Sequence, residues 1–287
     1  FSRLITGSVY TEKLLSPGTL VRIFSGAEYS YIWRVDIDRW ENQAWQLWTD
    51  PEKISFTTDL FPRQERSPFF GASVRIDRRD NPNDPRRGGH FFLEGRRVWI
   101  DNLSQDQSIS YNQVTSTLQR FFPFSRKQVV AAQIKAVVRD RFDAENFSHR
   151  LIFYNSDFFR GFRYTGEVYR TLSDVSTAYA NLEYRFRMVE IRYRDLGIDF
   201  QMDERVRKMV ERLDYSVDLF GFLDNGLFFG RERAFFSLNP MEDLFTSAGA
   251  GVRLIYPRLG QGGSGGVIFY HRKPGLPMDN RLTFYAR

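Results

Sequence analysis

The chain contains no cysteine, which excludes disulfides, thiolate metal sites and cysteine nucleophiles outright. Its three histidines, His90, His149 and His271, are scattered and lack metal-ligand spacing. No stretch approaches the roughly 18 uninterrupted apolar residues that a membrane-spanning helix requires. A basic block is missing too: 41 Lys and Arg are interleaved with 35 Asp and Glu, so the net charge of +6 forms no patch that would bind nucleic acid. The chain starts at Phe1 without the charged and apolar regions of a signal peptide. It therefore reads as a processed or truncated piece of an exported protein.

Aromatic residues are what the chain has in excess. There are 28 Phe, 14 Tyr and 5 Trp, 16% of the chain, yet mean hydropathy is only −0.44. Apolar surface this abundant, in a chain this polar, must be dispersed by alternation instead of gathered in runs. If such a chain meets lipid, it does so as a closed barrel, the one sheet structure that leaves no backbone group unpaired in hydrocarbon.

Alternation with period two dominates the sequence. From Thr177 to Met188, one face carries Ala178, Ala180, Leu182, Tyr184, Phe186 and Met188. The other carries Thr177, Tyr179, Asn181, Glu183, Arg185 and Arg187. Tyr29 to Ile37 repeats the pattern, and Gln128 to Arg139 does so less cleanly, with Val130, Ile134 and Val138 on the apolar side. These segments approach the 9 to 11 residues that a tilted strand needs to cross a bilayer, against about 5 or 6 in soluble sheets.

About twelve such segments are visible, near 2–12, 19–26, 29–39, 43–50, 69–79, 89–100, 108–122, 128–142, 175–191, 213–229, 246–256 and 265–272, with a thirteenth candidate at 281–287. Pro and Gly clusters separate them, including Asn81 to Pro85 and Gly260 to Gly266. Met202 to Leu213 reads as a short helix or a strand extension. The interruption between Phe142 and Ser173 holds aromatics and charges without alternation, and a connection that long in a compact fold usually has a function. The fold class expected is all-β, an antiparallel up-and-down transmembrane barrel, with 1–287 as a single domain.

Enzymatic readings find little support. Gly262 to Gly266 satisfies G-x-S-x-G, but a nucleophile elbow joins a strand to a helix, whereas this stretch reads as a flexible turn between strands. Asp77, Asp80 and Asp84 suggest a calcium loop, yet the pairs Arg78-Arg79 and Arg86-Arg87 would repel the ion. No catalytic residue, metal or cofactor is expected.

Three local sequences fall in order in the second half: Phe159-Arg160-Gly161-Phe162, Asn181-Leu182-Glu183-Tyr184, and Phe222-Leu223-Asp224-Asn225-Gly226. They resemble the signatures of the superfamily that includes BamA, TamA and FhaC. Asp77-Arg78-Arg79-Asp80-Asn81-Pro82 with Pro85-Arg86-Arg87-Gly88-Gly89 looks like that family's D-x-R-D-N-P hairpin, and Ser247 to Arg253 like its antepenultimate strand. The resemblance covers the chain from about Phe56 onward. Two departures stand out: Phe159 where the family usually has Val, and a last residue, Arg287, where its final strand ends on an aromatic.

The resemblance implies a sixteen-stranded barrel whose amino-terminal strands, and periplasmic POTRA-like domains before them, precede this chain. It implies that the sixth extracellular loop, 143–173, folds into the lumen. There Arg160, Gly161 and Phe162 would lie at the loop tip, with Arg160 held by Glu183, Phe222 and Asp224 near Gly226. Parity lets these residues share one inner site, and a guanidinium both pairs with carboxylates and stacks on rings.

The implied location is the outer membrane of a Gram-negative-type bacterium. The implied partners are unfolded outer-membrane or secreted polypeptides, outer-membrane lipid or lipopolysaccharide, and accessory lipoproteins. Two other readings stay open at this point: a passive porin or structural barrel, and a barrel anchoring a secreted patatin-like passenger.

Overall fold

The computed structural model describes residues 2–32, 63–103, 107–140, 176–192, 214–229, 244–256, 261–272 and 283–286. They form eleven strands: β1 (Ser2–Ser16), β2 (Thr19–Ile32), β3 (Arg63–Asp77), β4 (Gly88–Asn102), β5 (Gln107–Pro123), β6 (Gln128–Arg139), β7 (Ser176–Ile191), β8 (Tyr215–Phe229), β9 (Phe245–Tyr256), β10 (Gln261–Arg272) and β11 (Thr283–Ala286). All lie in one sheet in chain order, each antiparallel to the next. There is no helix among the described residues.

The all-β, up-and-down expectation holds, but closure does not: β1 and β11 are the two edges of an open sheet. Closing a barrel requires the outermost strands to meet at a consistent tilt and stagger, and β11 pairs with β10 at only four positions. Two further sequence expectations need correction. The segments 19–26 and 29–39 are not two strands, because β2 runs unbroken through Gly26 to Ile32. Here the glycine marks a close approach and not a turn: a Cβ at Gly26 would lie 2.7 Å from the Phe69 ring. Gly262 to Gly266 is likewise no turn, since it lies inside β10, paired with Ile255 to Gly251 of β9. The expected strand at 43–50, the segment 202–213 and the loop 143–173 lie outside the described residues.

Antiparallel order sorts the connections between two ends of the sheet. Residues 17–18, 78–87 and 124–127 connect strands at what we term the lower end; the opposite end is the upper. The faces separate as cleanly. Leu118, Ile134, Leu182, Leu223 and Val252 are exposed on the outer face, where Val130, Ala178 and Phe186 are half-buried. The inner face buries Gln113, Arg139, Glu183, Arg187, Asp218 and Asp224. It also holds apolar clusters, one of Phe69, Val98, Ile100 and Tyr111 and another of Phe220, Phe222 and Ile268.

Candidate functional site: the inner face of β7 to β9

Register brings the carboxylates and aromatics singled out above onto adjacent strands. Glu183 of β7 stands opposite Phe222 of β8, Asn181 opposite Asp224, and Tyr179 opposite Gly226. The period of two then turns Glu183, Phe222, Asp224 and Gly226 to the same buried face. Asp224 is wholly buried and accepts a hydrogen bond from the Asn181 amide. Glu183 accepts one from Arg185 Nε at 2.5 Å and lies 3.7 Å from Arg253 Nη1. Arg160, Gly161 and Phe162 lie outside the described residues.

The small residues of β9 make room for the aromatics of β8. Phe222 is paired with Gly249 and Phe220 with Gly251. A Cβ at Gly249 would meet the Phe222 ring at 2.7 Å, and one at Gly251 the Phe220 ring at 2.9 Å. Each ring therefore lies across a bare stretch of the neighbouring backbone, the arrangement by which aromatics stabilise glycine in a sheet.

Toward the lower end, the same face carries a row of alternating charge that sequence reasoning missed. Arg187, Asp218 and Arg253 are in register on β7, β8 and β9. Arg187 Nε donates to Asp218 Oδ1 at 2.9 Å, and Arg253 Nη2 to Asp218 Oδ2 at 3.0 Å. A fourth member comes from elsewhere in the sheet. Asp84, in the 78–87 turn between β3 and β4, accepts a hydrogen bond from Arg187 Nη2 and lies 3.7 Å from Arg253 Nη2. Parity alone puts Arg187 with Glu183, and Asp218 with Phe222 and Asp224. Pairing them needs the strand register, and the sequence marks Asp84 only as one of three nearby aspartates, not as a partner of Arg187.

Chemically, this is a surface of paired guanidinium and carboxylate groups suited to holding chain segments in place. A guanidinium stays protonated and cannot serve as a general base. Among the described residues no group of three or more His, Asp or Glu side chains is placed to hold a metal. Neither the protein-family models nor the curated proteins include a match to this chain.

Proposed function

We propose that the chain is the membrane-embedded part of an outer-membrane β-barrel that inserts or exports polypeptides, of the BamA, TamA and FhaC type. The observation that carries this reading is the inversion of its two faces. Long strands expose Leu118, Ile134, Leu182, Leu223 and Val252 outward and bury Glu183, Arg187, Asp218 and Asp224 inward. In water an apolar face of that extent would be an association hazard. Against lipid it is the expected exterior of a barrel with a polar lumen.

In this reading the barrel closes with further strands of the full-length protein, and the loop 143–173 folds into the lumen. Arg160 then meets Glu183, Phe222 and Asp224. The lock holds the wall in register while a client strand adds at the seam between first and last strands, because an unpaired strand edge templates β-augmentation. No covalent chemistry is involved. The clients are unfolded outer-membrane or secreted polypeptides, with accessory lipoproteins as further partners, and the outer face contacts lipid or lipopolysaccharide.

The test is reconstitution of the full-length protein in liposomes, comparing wild type with Arg160→Ala and Asp224→Ala. Client assembly or export should fall while the barrel remains inserted. Unchanged client handling with altered solute flux would favour a passive porin.

A further inference from the structure

The tip of a hairpin turn normally lies in solvent, whereas Asp84 and Pro85 at the tip of the β3–β4 turn are buried. The residues that pair with Asp84, Arg187 and Arg253, belong to β7 and β9, and β5 and β6 stand between those strands and β4. Along the sheet, three strand spacings of about 4.8 Å separate β4 from β7, and five separate it from β9. The turn therefore reaches over the inner face instead of packing on its neighbours.

The turn is built to keep that shape. Asp77 pairs with Arg79 at 2.6 Å, and Asp80 Oδ1 accepts from the backbone N–H groups of Asn81, Arg86 and Arg87 at 3.0, 2.9 and 3.1 Å. Asn83 N–H donates to Asn81 Oδ1 at 3.0 Å, and Arg79 Nη1 to the Pro82 carbonyl at 3.3 Å. A rigid arm thus presents one carboxylate to the row Arg187–Asp218–Arg253.

The docked arrangement is incomplete. Among the described residues Asp84 Oδ1, Arg253 Nε and Arg86 Nη2 are buried and hydrogen-bond to no protein group. Buried polar groups left in that condition weaken the state that contains them. The arm is stiff and its docking leaves buried polar atoms unsatisfied, a combination that favours movement of the turn as a unit.

We propose that the β3–β4 turn is a gate across the lower mouth of the lumen, latched by Asp84 against Arg187 and Arg253. Undocked, the turn leaves a path for small solutes along the inner face; docked, it bars that path while the sheet stays intact. The proposal rests on the barrel reading above and adds to it a gate formed by the 78–87 turn, distinct from the wall-holding role given there to the loop 143–173.

These 287 residues contain no cysteine, so the test introduces thiols only at chosen positions, in the full-length protein in liposomes with any cysteine outside this chain replaced by serine. A double variant, Asp84→Cys with Arg187→Cys, would be bridged by a short bismaleimide, with Arg187→Cys and Asp218→Cys as the adjacent-strand control. The expected results are bridging of both pairs, and small-solute flux about tenfold higher in Asp84→Ala, since a two-state opening shifts tenfold for each 1.4 kcal/mol by which docking is weakened. In the 84/187 variant flux should be high before bridging and return to the wild-type level after it. Bridging of the control pair alone overturns the docking. Unchanged flux in Asp84→Ala, or in the unbridged double variant, overturns the gate while leaving the barrel reading intact. Protein that alkaline carbonate extracts from the vesicles, wild type included, overturns both.

Discussion

Asp84 and Arg187 are 103 residues apart in the chain and joined by a hydrogen bond, and Arg187 turns its Nε at the same time to Asp218. One guanidinium thus ties a turn to a strand pair that is not its neighbour, which only a planar fork with donors on several edges can do.

Replacing Arg187 by Ala leaves Asp84 and Asp218 buried and facing each other. Breaking a buried pair costs about 3 to 5 kcal/mol in general. Arg253 remains 3.0 Å from Asp218, so the expected destabilisation is about 1 to 3 kcal/mol. Arg187→Lys keeps the charge but not the two-way fork and should fall between wild type and Ala. Thermal unfolding of the folded protein in detergent measures all three. Equal midpoints would show that the Arg187 pairing contributes nothing.

Gly88 adopts φ +91°, and a Cβ there would lie 1.9 Å from the Arg78 carbonyl oxygen. Gly88→Ala should therefore cost at least the roughly 1 to 2 kcal/mol of left-handed backbone for an L-residue, and should undock Asp84 as it deforms the turn. At Gly95 a Cβ would meet nothing within 4 Å. Gly95→Ala should be neutral or stabilise by about 0.5 to 1 kcal/mol. A larger destabilisation at Gly95 than at Gly88 would contradict the turn geometry.

How much of this was legible in the sequence depends on the range of the interaction. Period-two patterning is local, so the strands, their faces and the shared side of Phe222 and Asp224 could be read from the residues alone. The lower-end charge row could not, because Arg187, Asp218 and Arg253 become neighbours only through register. Asp84 is harder still, since it docks across strands that do not pair with its own. Glycine misled at Gly262 to Gly266, read as a turn but lying inside β10, and the break expected after Gly26 falls within β2. In these strands it makes room for an aromatic ring or for close backbone approach.

Asp80 supplies a pH signature in the 78–87 turn. Partial burial raises its pKa, but the N–H groups of Arg86, Arg87 and Asn81 outweigh that and hold the carboxyl below its ordinary value. A depressed folded-state pKa means that the stabilisation is complete above the ordinary carboxylate range, about pH 4, and is lost as pH falls through the lowered value. Amide-exchange protection at Arg86 and Arg87, corrected for intrinsic rates, should stay level down to that range and drop below it. Asp80→Asn should show weaker protection with little pH dependence. A drop between pH 7 and 5 would point to a different titrating group.

The outer face offers the sharpest test of the membrane reading, because lipid and water respond oppositely to a charge placed there. Ile134 lies mid-strand in β6 and is 56% exposed, and Leu182 lies mid-strand in β7 and is 49% exposed. In water, Lys at either exposed position would cost within about 0.5 kcal/mol. In a bilayer, a Lys near the midplane of a barrel wall costs about 2 to 4 kcal/mol, falling to about 0 to 1 at the interface. Phe124, 71% exposed in the 124–127 turn at the lower end, provides the interfacial control. Ile134→Lys and Leu182→Lys should each destabilise the protein in liposomes by about 2 to 4 kcal/mol, and Phe124→Lys by less than about 1. Denaturant titration in vesicles gives the three values. If mid-strand and turn substitutions cost the same, the penalty carries no depth dependence and the apolar face is not immersed in hydrocarbon.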